Sequence, residues 1–378
     1  MSKHRIIISV TNDLSSDQRV HKVCSTLYQN GFDVLLVGRI LATSKELTAR
    51  SYATKRMKLV FTKGVLFYVE YQLRLLILLL VTKFDSLHAN DLDTLLPNYL
   101  ASRLKRKELV YDSHEYFTEV PELQGNPVKK KIWELAEGFV FPHLKYVFTV
   151  NQSIADVYSQ KYQKEVRILR NVPSHAMLNF SSQFQLPDFL NNKPYAILQG
   201  AGINVDRGAE ELVEAMQYVN DLQLLIIGAG DVIEFLKKSV VQLELERRVF
   251  FIQKLPYEEL LNYTHHAAFG LTLDKDTNLN YRYSLPNKIF DYAAAGIPIL
   301  ASSLIETKRI FDQYPIGLLV DNHQPKHIAE KMQQMVNDKN LIEVWKKNAQ
   351  KLSEENYWES EVSEMLQIYL TVIKKQFN

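Results

Sequence analysis

The chain has 378 residues, of which 46% are hydrophobic and 23% are charged. This composition is typical of a soluble globular protein and excludes a disordered chain, and the length predicts two domains rather than one core. The formal charge of +2 is uneven: residues 1–190 carry 25 Lys and Arg against 18 Asp and Glu, whereas the remainder carries 20 against 25, so the first half favours anionic partners.

The single cysteine, Cys24, cannot form an internal disulfide, and the first residues lead into a strand rather than a signal peptide. We therefore expect a cytoplasmic protein. Cys24 lies at helical spacing with Val20, Val23 and Leu27, which predicts a buried thiol rather than a nucleophile.

Short apolar runs alternate with amphipathic segments through the first half. Strands in residues 5–10 and 33–38 flank a predicted helix over residues 18–29, which makes a βαβ unit. Further strands are predicted near residues 59–62 and in SLHAND, LVYDSHE, YVFTV and RILRNVP, with a helix over residues 94–106. This order predicts a parallel sheet.

Residues 65–83, VLFYVEYQLRLLILLLVTK, form the most apolar segment. Glu70 and Arg74 interrupt it and leave an unbroken run of seven residues, too short to span a bilayer. A buried crossover helix is one interpretation; the other is an interfacial helix lying on a bilayer, favoured by nearby basic residues. These are Lys55, Arg56, Lys58 and Lys63.

The alternation restarts after residues 191–194, NNKP, the best candidate for a linker. Strands are predicted in YAILQG, QLLIIGAG, VFFIQ, AFGLTL, IPILAS and IGLLV, separated by helices, which predicts a second doubly wound parallel sheet. Residues 329–375 are predicted to be continuously helical and to pack back on the body of the protein. Two domains imply a cleft.

Glycine-containing loops follow the first two strands of the second half. In GAGINVDRGAEEL, Gly200 and Gly202 stand at a strand end and Arg207 precedes a helix; Gly228 begins the similar loop GAGD. Glycines let backbone amides approach a phosphate, and an arginine can bind two of its oxygens. Neither loop has the G-x-G-x-x-G spacing, which disfavours a nicotinamide-dependent oxidoreductase.

The segment SLPNKIFDYAAAGIPILAS, which begins at Ser284, predicts an anion-binding helix start. Ser284 is expected to cap the helix, with Pro286 in its first turn and Gly296 at its end. Lys288 and the free N–H groups would bind a phosphate, and Asp291 would accept a hydrogen bond from a sugar hydroxyl. The alternative is an ordinary ion pair between Lys288 and Asp291.

Polar residues end two strands of the first half: Asp91 in HANDLD, and Asp112, His114 and Glu115 in VYDSHE. Parallel strands end at one edge of a sheet, so these residues are expected to line the same cleft. Metal ligation is a rival hypothesis, but alternate residues leaving a strand rarely converge on one ion. A structural role for His114 stays open.

Together these motifs resemble the retaining glycosyltransferases of family 4 over nearly the full chain. LVYDSHEYFTE resembles the family's histidine-bearing strand end, LQGAGINVDRGAEELVEAM its phosphate loop, and SLPNKIFDYAAAGIPILAS its donor-binding segment. The resemblance implies the α/β GT-B fold, with Rossmann-like domains over residues 1–190 and 191–357 facing a central cleft. It also implies that a terminal helix, residues 358–378, crosses back to the first domain.

The resemblance implies transfer of a sugar from a nucleoside diphosphate sugar to a glycan or lipid-linked acceptor, with retained configuration, in cell-surface polysaccharide synthesis. No metal and no resident cofactor are implied. Arg207 and Lys288 would stabilise the leaving diphosphate, Asp291 would bind the ribose, and His114 would contact the donor sugar. The other implied donor-binding residues are Gly200, Gly202, Gly228, Ser284 and Asn287, and those on the acceptor side are Asp13, Asp91 and Glu115.

Three positions depart from the family pattern, one of them Asp291, which stands where the family has its second glutamate. Tyr283 stands where a glutamate usually binds the donor sugar, and Ala201 stands where an arginine often follows the glycine. The alternatives are a nucleotide-sugar epimerase of the same fold and an inactive nucleotide or glycan binder. Peripheral contact with the inner face of an anionic membrane is expected, and nucleic acid is not an expected partner.

Overall fold

The computed structural model describes residues 3–377 except 16, 45, 176, 177, 179, 181, 182, 191 and 192. The chain divides into two compact units, one made of Met1–Asn171 with Glu361–Asn378 and the other of Val172–Ser360. This division lies earlier along the chain than the predicted boundary between residues 190 and 191. The first two residues of the predicted linker, 191 and 192, lie outside the described residues.

The first unit contains a parallel sheet. Its strands are β1 (Arg5–Asp13), β2 (Asp33–Ile40), β3 (Ala53–Lys58), β4 (Ser86–Asn90), β5 (Glu108–Ser113), β6 (Tyr146–Thr149) and β7 (Arg167–Ile168). Its helices include α1 (Gln18–Gln29), α2 (Gly64–Val81), α3 (Leu92–Lys105), α4 (Pro121–Gln124), α5 (Pro127–Val140) and α6 (Gln152–Tyr162). Over the described residues the strand order is β3-β2-β1-β4-β5-β6-β7.

The second unit contains another parallel sheet. Its strands are β8 (Tyr195–Gly200), β9 (Gln223–Gly228), β10 (Val249–Ile252), β11 (Phe269–Thr272), β12 (Ile299–Ser302) and β13 (Gly317–Val320). Its helices include α7 (Ala209–Ala215), α8 (Ile233–Gln242), α9 (Tyr257–His265), α10 (Leu279–Arg282), α11 (Lys288–Ala294), α12 (Ile305–Gln313), α13 (Pro325–Asn337) and α14 (Lys339–Glu355). In the described part of this unit the strand order is β10-β9-β8-β11-β12-β13.

Both strand orders are those of a doubly wound sheet, as predicted. The order reverses between β1 and β4 in the first unit and between β8 and β11 in the second. Open sheets of this kind bind ligands beyond the carboxyl ends of the strands at such a reversal. The reversal points therefore indicate where to look for a site in each unit.

The last helix, α15 (Trp358–Phe377), joins the first unit from residue 361 onward. Tyr369 is fully buried, its hydroxyl lies 2.7 Å from Nδ1 of His88 on β4, and its ring packs 5.7 Å from that of Phe32. Two ends of the sequence thus contribute to one core.

Two predictions of local structure are wrong. The strand predicted near residues 59–62 lies earlier, because β2 pairs with residues 53–58 and leaves the following residues to connect to α2. The continuous helix predicted over residues 329–375 is broken at Asp338, whose side chain caps α14 by accepting the Leu341 N–H at 3.1 Å, and again before Trp358.

Helix α2 connects β3 to β4 and packs against α3. By length and composition it could cross a membrane, with a mean hydropathy of 1.8. One of its faces is nevertheless part of the core of the first unit: Tyr71 is fully buried and its hydroxyl donates to the carbonyl oxygen of Val10 at 2.6 Å. The opposite face is exposed.

A buried tyrosine fixes α11 to the second sheet. The hydroxyl of Tyr292 lies 2.9 Å from the carbonyl oxygen of Leu271 on β11 and 3.2 Å from that of Ile197 on β8. Its ring covers Gly270, where a Cβ atom would lie 2.3 Å from the ring carbons. Glycine at this position therefore lets the helix that begins at Lys288 approach the strands.

We expect Gly270→Ala to lower the free energy of unfolding by about 1–3 kcal/mol, because the added methyl group overpacks the contact with Tyr292. Urea unfolding followed by circular dichroism measures this effect. The control is Gly202→Ala, where the new methyl group meets nothing closer than 3.8 Å and the change should stay within about 0.5 kcal/mol. Equal stability of the two variants would contradict this account of the packing.

Candidate functional site

The candidate residues of the second unit lie at the carboxyl edge of its sheet. Gly200 ends β8, Gly228 ends β9, and Asp274 follows β11 by two residues. Lys288 begins α11, and the hydroxyl of Tyr292 in that helix donates to carbonyl oxygens of β8 and β11. The site therefore lies at the strand reversal that the topology singles out.

The two glycine loops have different roles. Gly228 has φ +147°, and a Cβ there would lie 1.8 Å from the carbonyl oxygen of Gly200; a Cβ at Gly230 would lie 1.9 Å from that of Ile203. The second loop thus needs glycine in order to pack against the first. A Cβ at Gly202 would make only an ordinary contact, with Asn204 Nδ2 at 3.8 Å, and among the described residues the Gly202 amide has no hydrogen-bond acceptor. The first loop is the one available to a ligand.

Arg207 is held by two residues that the sequence analysis did not identify. Its Nη1 lies 3.0 Å from Oδ1 of the buried Asp274, and its guanidinium carbon lies 4.9 Å from the ring centre of Tyr281. Burial acts to lower the pKa of Arg207, but Asp274 and Tyr281 outweigh it and hold that pKa above its usual value. The sequence signal for Asp274 is its place two residues after the buried strand β11, close to a strand end, as Asp112 is within β5.

Lys288 is the unpartnered cation of this site. It is partly buried, and its ammonium group has no hydrogen bond or ion pair among the described residues. The pKa of Lys288 is lowered, mainly by burial and further by the positive charge of Arg207. The carboxylates of Asp274 and Asp291 only partly offset this effect. Lys288 therefore offers a charge and unused donors to an anion in the neighbourhood of Arg207.

The predicted helix start is wrong in detail. Helix α11 begins at Lys288, so Ser284 is too early to cap it, and the Ser284 hydroxyl donates to the carbonyl oxygen of Tyr281 at 2.8 Å. Asn287 occupies the cap position in helical backbone geometry and makes no side-chain capping bond. Gly296, with φ +73°, follows the end of the helix as predicted.

Asp291 is positioned by a tyrosine rather than by Lys288. The hydroxyl of Tyr257, the first residue of α9, donates to Oδ1 of Asp291 at 2.7 Å. The alternative of an ordinary ion pair between Lys288 and Asp291 is therefore wrong. Burial, together with Asp291, raises the pKa of Tyr257, which keeps this hydroxyl a donor.

In the first unit a buried ion pair supports the candidate histidine. Arg19 of α1 donates from Nη2 to Oδ1 of Asp112 at 2.7 Å and from Nε to Oδ2 at 3.2 Å. Burial acts to raise the pKa of Asp112, but Arg19 and then His114 hold it well below its usual value. Asp112 is therefore a fixed negative charge at the end of β5.

His114 lies between two carboxylates. Its Nδ1 is 3.2 Å from Oδ2 of Asp91 and its Nε2 is 3.3 Å from Oδ2 of Asp112, while its backbone N–H donates to Asp91 at 2.7 Å. Burial lowers the pKa of His114, but Asp91 and Asp112 raise it to about 9. The ring is thus an imidazolium at neutral pH, with both nitrogens engaged.

The acceptor-side candidates have different partners. Asp91 contacts His114, and Glu115 follows it with its carbonyl oxygen accepting the Ser113 hydroxyl at 2.8 Å. Asp13, by contrast, forms an ion pair with Arg56 of β3 at 3.5 Å. No cluster of three or more His, Cys, Asp and Glu residues in the described part of the chain has the arrangement of a metal site.

Asp93 is a further carboxylate of this region that the sequence analysis did not single out. It is buried, and its Oδ2 accepts the hydroxyl of Thr11 at 2.5 Å. Burial, followed by the charge of Asp91, raises the pKa of Asp93 to about 7. Its position at the start of α3, two residues after Asp91, is the sequence signal that could have indicated it.

Two family models match the chain. The one described as Glycosyltransferase Family 4 matches residues 17–172, and the one described as Glycosyl transferases group 1 matches residues 182–352. An uncharacterised glycosyltransferase of Methanocaldococcus jannaschii is 20% identical over 280 residues, which are 71% of this chain and 69% of that protein.

Solved structures share the fold. Sucrose-phosphate synthase from Thermosynechococcus elongatus superimposes with a TM-score of 0.80 at 15% identity, covering 99% of this chain and all of that one. Anabaena HepE, solved in complex with UDP and glucose, gives a TM-score of 0.74 at 13% identity, covering 97% of this chain and 99% of that one. At these identities the likeness establishes the GT-B fold.

We expect His114 to titrate near pH 9 and to remain protonated at pH 8, as measured by NMR of the imidazole ring. Asp91→Asn should lower this pKa by about 1–3 units, because it removes an opposite charge in contact with the ring. A wild-type midpoint near pH 6.5 would contradict the arrangement.

The same pKa predicts a pH dependence of stability. The folded-state pKa of about 9 exceeds the ordinary value of 6.5, so the stabilisation is complete below pH 6.5 and is lost as the pH rises through 9. In urea unfolding, the difference in free energy of unfolding between wild type and His114→Gln should therefore be larger at pH 6 than at pH 10. A difference that is independent of pH would argue against a charged His114.

Proposed function

Because this chain belongs to the group 1 glycosyltransferases of family 4, and therefore catalyses glycosyl transfer, we propose that its donor is a nucleoside diphosphate sugar. The acceptor in this proposal is a glycan or a lipid-linked glycan of cell-surface polysaccharide synthesis, and the transferred sugar retains its anomeric configuration. The observation that carries the donor assignment is Lys288, which has no hydrogen bond or ion pair within the described part of the chain and whose charge interacts with that of Arg207.

The charges of the site suit a diphosphate. Arg207 is anchored by Asp274, which fixes the direction of its guanidinium group, while Lys288 has unused donors. As the bond between the sugar and the diphosphate breaks, negative charge grows on the leaving oxygen, and cations placed in advance stabilise it. In this proposal Arg207, Lys288 and the free amide of Gly202 perform this role without a metal or a resident cofactor.

The nucleoside end is assigned to α11. Asp291, oriented by the Tyr257 hydroxyl, is proposed to accept hydrogen bonds from the ribose, with Ser284 and Asn287 lining the approach to Lys288. Gly228 packs against Gly200 and is proposed to hold the Gly200 loop in place beside the donor. That the similar Anabaena HepE was solved with UDP and glucose supports UDP as the first nucleotide to test.

The first unit is proposed to receive the acceptor, with Asp91 and Glu115 on that side. A protonated His114 donates hydrogen bonds and does not serve as a base, because Asp91 and Asp112 keep its pKa at about 9. In this proposal His114 contacts the donor-sugar oxygens. One of its ring N–H groups donates to a sugar oxygen and to a carboxylate at the same time. The Asp13 side chain, paired with Arg56, orders the neighbouring strand end.

We expect UDP or another nucleoside diphosphate to raise the melting temperature in a thermal-shift screen with UDP, GDP, ADP and dTDP. Ligand at a hundred times its Kd stabilises the folded state by about 2.7 kcal/mol. Lys288→Ala should abolish the shift and lower kcat by at least about 100-fold, whereas Lys288→Arg should keep part of both.

The matched control is Lys238→Ala, which removes an exposed lysine of α8 in the same unit and should behave like wild type. Unchanged turnover in Lys288→Ala would overturn the donor assignment. Incubation with a nucleotide sugar and no acceptor separates the remaining functions: slow hydrolysis supports a transferase, and an isomerised sugar would identify an epimerase. NMR of the anomeric proton of the product tests retention.

A further inference from the structure

Helix α2 has an exposed apolar face opposite the face that it buries. Leu73, Ile77 and Val81 follow one another at intervals of four residues and are 56%, 61% and 78% exposed. The apolar face consists of Val65, Leu66, Val69, Leu73, Ile77 and Val81. A contiguous exposed apolar surface of this kind marks an interaction site.

Beside this face lies one acidic residue, Glu70, whose negative charge is compensated by neighbouring hydrogen-bond donors. The Glu70 carboxylate accepts the backbone N–H groups of Val60 at 3.0 Å and Phe61 at 2.9 Å, and it pairs with Arg74 at 2.8 Å. These bonds hold the preceding loop against the helix. The loop adds two exposed hydrophobic side chains, because Val60 is 74% and Phe61 44% exposed.

Basic residues flank the apolar face at both ends. Residues 54–83 contain six Lys and Arg and a single acidic residue, Glu70. Lys58, Lys63 and Lys83 are exposed and form no ion pair among the described residues. Lys63 precedes the first turn of α2 and Lys83 follows its last, so cationic groups stand at both ends of the exposed stripe.

A second apolar stripe lies on the neighbouring helix α5. The two helices touch through the rings of Tyr68 and Trp133, whose centres are 5.1 Å apart. The exposed large hydrophobic residues of α5 are Val128, Ile132, Leu135 and Phe139, again one per helical turn. Lys129, next to this stripe, is exposed and forms no ion pair in the described part of the chain.

We propose that the apolar face of α2, extended by α5, docks on an anionic lipid bilayer, with α2 lying in the plane of the headgroup region. Exposed aliphatic side chains enter the interface, and the unpaired lysines contact lipid phosphates. The helix does not cross the bilayer, because Tyr71, Leu75 and Leu79 belong to the core of the first unit. The charge pattern selects this occupant over a second copy of the chain, whose matching face would be equally basic.

The test is flotation of the full chain with vesicles of phosphatidylcholine alone and with roughly 30% phosphatidylglycerol. We expect binding to the anionic vesicles at about 50 mM salt, weakened at about 500 mM salt. Leu73→Ser with Ile77→Ser should lower the partition coefficient at least about tenfold. Lys58→Gln, Lys63→Gln and Lys83→Gln together should lower it by about fivefold per lysine.

The matched control removes two exposed hydrophobic residues elsewhere, Phe235→Ser with Val241→Ser on α8, and should bind like wild type. Circular dichroism melting of every variant verifies that it is folded, and the thermal shift with UDP reports the donor site separately. Failure of wild type to bind anionic vesicles at low salt would overturn the proposal. So would a concentration-dependent dimer that the Leu73 and Ile77 changes abolish, because it would assign the face to a second copy.

Discussion

The buried ion pair between Arg19 and Asp112 organises the first unit. It joins α1 to the end of β5, and the same guanidinium donates from Nη1 to the carbonyl oxygen of Leu169 at 2.8 Å, so three distant parts of the chain meet. Removing one member of such a pair leaves an unpaired buried charge, a change that typically costs about 3–5 kcal/mol. The charge and the position of His114 both depend on Asp112, and hence on Arg19.

The second unit uses the same device with a different outcome. Asp274, like Asp112, stands close to the end of a buried strand and holds an arginine, but the Arg207 side chain is 32% exposed whereas that of Arg19 is 6% exposed. The guanidinium group of Arg19 donates to Asp112 and to the Leu169 carbonyl, both within the protein. Arg207 is fixed in direction while part of it still faces solvent, as a residue that meets an anion must be. The comparison of the two pairs separates a buried arginine from one that is equally well anchored but partly exposed.

Most helices and strands could be predicted from the sequence, because the periodic spacing of hydrophobic residues and the glycines that end helices are local signals. Helix α1 has the bounds that were predicted, and both sheets have the doubly wound order. The predicted cap at Ser284 failed because α11 begins only at Lys288, four residues later. Tyr257 pairs with Asp291 across 34 residues, which no local pattern encodes. The strand-end position of Asp274 is a local signal, but its pairing with Arg207 across 67 residues is not.

Helix α15 has a consequence for how this chain is made. Its Tyr369 is buried against His88 and Phe32, so the core of the first unit contains residues from the last part of the sequence. A ribosome releases the N-terminal sheet long before it releases that helix. The second unit is continuous in sequence and precedes most of α15, so the first unit lacks these core residues until α15 has been made. The unit that begins first in translation is therefore the one whose core is completed later.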